Sequence, residues 1–355
     1  MIDWTKSMQQ KFEYYTVDPG TWLDMDKIDN VKSCTITRDN DADTLGSATI
    51  DVTESLGEAY VRVYMIAIQN GEDGYVEEKI PLGTFLVQTP SSAFDGRVKA
   101  VSMDAYTPLI ELKEKQPPIG YSMLKGENIM QRAYLVTREN LRAPVVEPQS
   151  SEKLYSDFVA DPNEKWITYI RDLIANAKYE LGLDEMGRVI FNAKQDSASL
   201  RPVWTYTDNN SSILYPDISM NHDLYGIPNV VEVVYSKGSE YYYGRAVNDD
   251  PDSPISTVSR GREIPYRISN PDLGNPTENQ IQDYAEQCLR DLSTLEYSVS
   301  YMHGYCPVRL GDCVRLDYKR AGLSNVTGKV ISQTIKCEPG CPVTEKVTYT
   351  KKLWG

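Results

Sequence analysis

The sequence predicts an α+β fold, mainly β, in which two β regions flank a small inserted α/β domain. Three observations predict it. Apolar alternation with closely spaced turn signals fills the first and last thirds of the chain. In the middle, the apolar period lengthens to that of helices. An apolar strand with a Leu-Gly step occurs once in each β region, as IPLGTFLV at 80–87 and as VRLGDCVRL at 308–316. In both, the Gly is expected to let the chain turn sharply at the mouth of a strand. The expected domains are a β domain at 1–115, an α/β insert at 116–205, and a second β domain with one amphipathic helix at 206–355.

Each element has its own warrant. Residues 32–38 and 46–53 alternate and are rich in Thr, and Asn40, Asp41, Ala42 and Asp43 supply the turn between them. Residues 60–68 form a longer strand ending at Asn70-Gly71, and 75–87 return from that turn. Residues 97–104 follow Asp95-Gly96, another hairpin signal. Strands at this spacing indicate a barrel or a sandwich. In the insert, a helix is expected over 126–140, with Ile129, Met130, Ala133 and Tyr134 on one face. Asp161-Pro162-Asn163-Glu164 then reads as a helix start, with Asp161 as cap and Glu164 at the capping-box position. Trp166, Ile170, Leu173, Ile174 and Ala177 continue as a core stripe. Residues 179–183 and 188–191 read as a small hairpin. In the last third, 228–235 and 240–247 form a strand pair across Lys237-Gly238. Asn275-Pro276-Thr277-Glu278 repeats the helix-start pattern before the stripe Ile281, Tyr284, Ala285, Cys288, Leu289 and Leu292. Strands are expected at 296–302, 312–318, 328–334 and 344–351, with Pro339-Gly340 bending the last hairpin between Cys337 and Cys341.

Composition narrows the function classes. Hydrophobic content of 41% and charged content of 25% are those of a globular protein with room for two or three cores. No stretch approaches the roughly 20 apolar residues that span a bilayer, and the start of the chain lacks the pattern of a signal peptide. The formal charge is −14, and residues 1–110 hold 18 acidic against 9 basic residues. That balance argues against a surface that grips nucleic acid. It fits plain solubility, or the repulsive lining of a conduit through which nucleic acid slides.

Little catalytic chemistry is on offer. His222 and His303 lie outside any metal-binding or triad-like pattern, and neither a nucleophile elbow nor a phosphate-binding loop occurs. No catalytic, cofactor-binding or metal residue is assigned. The acidic run 248–252 reads as a calcium loop or a solvated turn, and Pro251 interrupts the ligand order an EF-hand needs. Tyr241, Tyr242 and Tyr243 read as a sugar platform or as a strand with one packed and one contact face. Four of the six cysteines, Cys306, Cys313, Cys337 and Cys341, fall near the C-terminus, with Cys34 and Cys288 apart. Their spacings leave zinc, a disulfide and free thiols as readings, and folding in a reducing cytosol favours thiols.

Taken in order, these segments resemble the tail hub (baseplate hub, tail-tip) proteins of tailed bacteriophages and related contractile injection systems. The matching runs are 80–87, then 98–104 with Tyr106 and Leu109; 166–174 with the hairpin through 187–191; 229–233 followed by 248–256 and 259–262; and the helix at 278–295 before Leu310-Gly311-Asp312-Cys313-Val314. The family begins that last strand with a residue between Leu and Gly that is absent here. The resemblance implies a structural protein, not an enzyme. It implies a homotrimeric ring at the tip of the tail tube, each subunit giving two tube-like β-barrel domains to a pseudo-sixfold ring. The implied partners are the tail tube or distal tail protein, the tape measure protein, and a tip, spike or fibre protein. DNA would pass through without specific binding, no cofactor would be needed, and the protein would reside in the virion tail after assembly in the host cytoplasm. Many hubs carry a C-terminal peptidoglycan-cutting domain. This chain stops at Trp354-Gly355 after its last strand, so such an activity is expected of another protein. Two rival readings are a carbohydrate- or receptor-binding tail module, from the 25 tyrosines and 5 tryptophans, and a cell-wall hydrolase, from the abundant carboxylates.

Overall fold

A computed structural model describes residues 2–71, 74–94, 99–195, 200–209, 212–237, 240–271, 273 and 276–354. The Asp95-Gly96 turn, Gly238 and Asn275 lie outside the described residues. The protein is mainly β, as its sequence predicts. It divides into two compact units, Met1–Ile218 with Tyr301–Lys346, and Ser219–Ser300 with Val347–Gly355. The sequence-level boundaries after residues 115 and 205 both fall inside the span of the first unit.

The first third forms β1 (Gln9–Val17), β2 (Asp24–Lys27), β3 (Val31–Asp39), β4 (Gly46–Val52), β5 (Tyr60–Gly71), β6 (Gly74–Phe94) and β7 (Lys99–Tyr106). They pair antiparallel in the order β3-β4-β7-β6-β5-β1-β2. Strand β6 is 21 residues long because it serves two partners. Its first part pairs with β5, and from Leu86 onward it pairs with β7. Period-2 alternation sends Ile36, Ile50, Val61, Val63, Met65 and Met103 into one core.

The insert comprises α1 (Ile110–Glu114), β8 (Ser122–Met123), α2 (Ile129–Asn140), β9 (Phe158–Val159), α3 (Trp166–Ala175), β10 (Tyr179–Leu183) and β11 (Val189–Ala193). Asn128 caps α2 by accepting from the Gln131 N–H. The predicted stripe of α3 is buried throughout. Its start differs from expectation. Asp161 to Glu164 closes a turn, with the Glu164 carboxylate accepting from the Asp161 N–H, but α3 begins only at Trp166. The turn hands the chain to the helix without being its cap. Tyr121, Trp166 and Tyr169 meet edge-on at centroid distances of 4.9–5.7 Å. Each such pair adds about 0.5–1.5 kcal/mol beyond area burial.

The last third forms β12 (Trp204–Thr207), β13 (Leu214–His222), β14 (Val230–Lys237), β15 (Glu240–Val247), α4 (Thr257–Arg260), β16 (Pro265–Ser269), α5 (Glu278–Leu292), β17 (Thr294–Gly304), β18 (Cys313–Tyr318), β19 (Leu323–Lys336) and β20 (Pro342–Lys352). In the first unit, β18 pairs antiparallel with β19, β12 lies parallel on β18, and β19 pairs with β3 from Ser332↔Asp39 to Lys336↔Thr35. That ladder joins the N-terminal and C-terminal β regions in one sheet.

In the second unit, β14 pairs antiparallel with β15 and parallel with β16, and α5 covers one face. Asn229 builds the parallel junction: its side-chain amide donates to the Arg262 carbonyl and its oxygen accepts from the Ile264 N–H. Helix α5 is capped by Thr277 in a capping box with Gln280, so the cap sits two residues later than Asn275. A capping residue of this type contributes about 1 kcal/mol. The helix lies so close to β15 that a Cβ at Gly244 would stand 2.7 Å from the Ile281 carbonyl oxygen. Gln282 ties the same junction by bonding both the N–H and the carbonyl of Arg245.

Gly244→Ala is therefore expected to lower the urea midpoint by the equivalent of about 1–3 kcal/mol, the usual cost of overpacking. An unchanged midpoint would remove close helix approach as the reason for Gly at this position.

Candidate functional site

The Leu-Gly segments differ from expectation in conformation but converge in space. In β6, Tyr64 pairs with Pro81 and Val63 with Gly83, so Leu82 is the extra residue of a β-bulge inside the strand. No bend at a strand mouth occurs there. The bulge frees the Leu82 carbonyl from the ladder, and the Arg38 guanidinium donates to it at 2.7 Å. Gly311, by contrast, sits in a turn before β18 with φ of +83°, a conformation that favours glycine. Asp312 closes that turn by accepting from the Arg309 N–H at 2.8 Å. Burial pushes the Asp312 carboxyl above its usual range, outweighing this hydrogen bond.

Leu82 to Phe85 and Arg309 to Cys313 line one cavity of about 500 Å³, closed on a third side by β10 and β11. Two charge pairs cross between elements there: Arg309 with Glu185 at 2.5 Å and Lys329 with Glu180 at 3.5 Å. The walls thus join both β regions and the insert.

Beside the cavity runs a buried polar chain. Arg38 donates to the Gln333 side-chain oxygen at 3.1 Å, and the Gln333 amide donates to Glu345 at 2.6 Å and to the Val308 carbonyl at 3.0 Å. Glu345 also accepts from Tyr301 and from Tyr206. His303 stands 3.6 Å from Glu345, and its Nδ1 donates to the Gly304 carbonyl at 2.7 Å. Cys306 and Tyr206 complete the group, and all of Tyr206, Tyr301, His303, Cys306, Gln333 and Glu345 are buried. Burial pulls the imidazolium down, but Cys306 and Glu345 outweigh it and raise His303 to about 10. Burial pushes Glu345 up, and its contacts with His303, Tyr301 and Gln333 hold it below the usual carboxylate value. A thiol, an imidazole and a carboxylate in one cluster suggest nucleophilic chemistry. Here they are shielded from solvent, and the side chains of Tyr206, Tyr301, His303 and Gln333 surround the Glu345 carboxylate.

Two further buried charges dock the insert. Arg62, 1% exposed, donates to Asp24 at 2.6 Å, Thr84 at 2.9 Å and the carbonyls of Trp22 and Met186. The Trp22 indole donates to the same Met186 carbonyl at 2.7 Å. Met186 is the tip of the β10–β11 hairpin. Glu111 accepts from Tyr60, from the Arg142 side chain at 2.6 Å and from the Arg142 N–H at 3.0 Å.

Of the side chains singled out from sequence, His303 lies in the buried chain, whereas His222 is exposed beside Tyr297 in the second unit. Residues 248–252 form a turn held from within. The buried Asn248 side chain donates to Ser253, and its oxygen accepts from the Asp250 N–H. Tyr242 packs toward α5, while Tyr241 and Tyr243 are exposed. All six cysteines are free. Cys337 packs beside Cys34 as well as near Cys341. Sequence reasoning missed Arg62, Glu111, Gln333 and Glu345. Only Arg62 left a signal, as a charge inside the apolar run 60–68.

No protein-family model matches the chain, and no curated protein matches it by sequence. Solved structures do. A tail protein from Neisseria meningitidis MC58 aligns over 97% of this chain and 98% of its own, with a TM-score of 0.62 at 11% identity. The chain has a tail-protein fold. The 43 kDa tail protein of prophage MuSo2 from Shewanella oneidensis aligns over 95% of this chain and 98% of its own, with a TM-score of 0.59 at 11% identity. The tail-protein fold thus spans both units and the insert, with no large segment left over.

The ion pair fixes a pH response. The folded value of His303 stands above that of a free imidazole. Its contribution is complete below about pH 6.5 and is lost as pH rises through about 10. Glu345 is held low, so its contribution is lost as pH falls through its depressed value. An NMR titration should find His303 protonated throughout pH 6–8. Glu345→Gln should bring its titration down into or below that range and cost about 3–5 kcal/mol by leaving a buried charge unpaired. A neutral His303 at pH 7 in the native protein would contradict the assignment. Separately, Arg62→Met should raise hydrogen exchange in β10 and β11 more than in α3; equal protection to the unaltered protein would show that Arg62 does not hold the hairpin.

Proposed function

We propose that the chain is the structural hub of a phage tail tip or baseplate. The carrying observation is a tail-protein fold that runs over nearly the whole of this chain and of its structural relatives. In this reading three subunits form a ring that continues the tail tube, and residues 1–115 and 206–355 each supply a tube-like β-barrel domain. The insert at 116–205 braces them from the side. The ring adapts the tube, or a distal tail protein, to tip, spike or fibre proteins, and meets the tape measure protein at its centre. The protein works without a cofactor and catalyses no reaction. It assembles in the host cytoplasm and ends in the virion tail. The exposed Tyr241 and Tyr243 suit a contact with a neighbouring subunit, since tyrosine gives large contact area at low entropy cost.

Physical economy supports the scaffold. Arg62, Glu111 and Glu345 each join parts of the first unit, and the acidic balance suits a conduit for DNA. Each Lys or Arg contact with phosphate would add salt-dependent affinity and retard passage.

Quantitative mass spectrometry of intact particles tests the reading, with three copies per tail expected and a ring visible by cryo-electron microscopy. Absence from the tail, or two copies, would overturn it. The purified chain should also leave duplex DNA unretarded at physiological salt. Binding at micromolar affinity would contradict the conduit.

A further inference from the structure

The seam between β3 and β19 holds a feature the scaffold reading does not use. The ladder ends at Lys336↔Thr35, and the next residues across it are Cys337 and Cys34. The Cys337 N–H donates to the Cys34 carbonyl at 2.9 Å, so the two face each other directly. Residues opposed in this way have Cα atoms about 5.5 Å apart, near the centre of the disulfide range of about 4.4–6.8 Å. Opposed residues send their side chains to the same face, and both thiols pack into the core that also holds Tyr14. Their exposure differs. Cys34 is buried and Cys337 is half-buried.

We propose that Cys34 and Cys337 form an oxidative modification site, which a small-molecule disulfide such as glutathione disulfide converts into a cross-strand bond between β3 and β19. The more accessible Cys337 thiolate attacks one sulfur of the reagent. The reagent's S–S bond breaks, and one thiolate leaves with the electron pair. Cys34 then releases its proton and attacks Cys337 Sγ. The mixed S–S bond breaks, and the second thiolate leaves. The two protein thiols lose two electrons, and the reagent becomes two thiols that take up the two protons. The order suits the surroundings, because the neighbouring Cys337 thiol and burial push the Cys34 thiol up, making it a poor first nucleophile. Cys341 is the competing partner. It is fully buried and lies in the same turn as Cys337, whereas Cys34 lies directly across the ladder. The bond would weld the seam between the N-terminal and C-terminal β regions, and would close a loop containing most of the chain.

The test uses the full-length protein treated with glutathione disulfide, then digested with trypsin without reductant. The expected product is peptide 33–38 joined to peptide 337–346, with two of the six thiols lost on titration after denaturation. The melting temperature should rise and return on reduction. Cys34→Ser should abolish the linked pair while Cys341→Ser keeps it. If Cys34→Ser does not fold, Cys337→Ser supplies the same control. A loop confined to 337–346, a glutathione adduct that stays on Cys337, or six intact thiols would each overturn the proposal.

Discussion

The buried carboxylate of Glu345 is the constraint around which the first unit is organised. A charge without solvent must be met by donors, or it shifts toward its neutral form. Four side chains from three strands converge on it: Tyr206 in β12, Tyr301 and His303 in β17, and Gln333 in β19. Gln333 extends the requirement outward. Its oxygen accepts from Arg38 in β3, and Arg38 reaches the carbonyl freed by the bulge at Leu82. Its amide also holds Val308, just ahead of the second Leu-Gly step. One continuous polar chain therefore links the N-terminal strands, the C-terminal strands and the two Leu-Gly walls of the cavity.

The insert is attached by the same logic. Arg62 is a charge on the face of the sheet that the insert covers and Glu111 is one on α1, and each is satisfied by groups from both sides. Removing one partner leaves the other charge buried and unpaired, which is costlier than losing an apolar contact. This directional demand sets the insert at one position on the sheet, while the aromatic cluster of Tyr121, Trp166 and Tyr169 keeps the insert itself rigid. The second unit uses closeness of backbones instead: Gly244 admits α5, and Gln282 locks it.

Much of this was legible in the residues. The stripes of α3 and α5 and the hairpin at β10–β11 follow from period and turn chemistry, which act over a few residues. The order of segments identified the tail-protein likeness, although each motif alone was weak. What stayed hidden depends on pairings distant along the chain. The β3–β19 ladder joins residues about 300 apart, and no local pattern reports it. Glu345 lies in an alternating strand, so only its inward position marks it. The two Leu-Gly steps looked alike because letters do not distinguish a bulge from a turn. Their common role lies in the cavity they line together.

Arg38 and Gln333 act as one unit in coupling the two β regions. A double-mutant cycle with Arg38→Met and Gln333→Leu, read by chemical denaturation, tests it most directly. A coupling energy of about 0.5–3 kcal/mol is expected, the range for groups in one hydrogen-bond network. Additive effects of the two substitutions would contradict it.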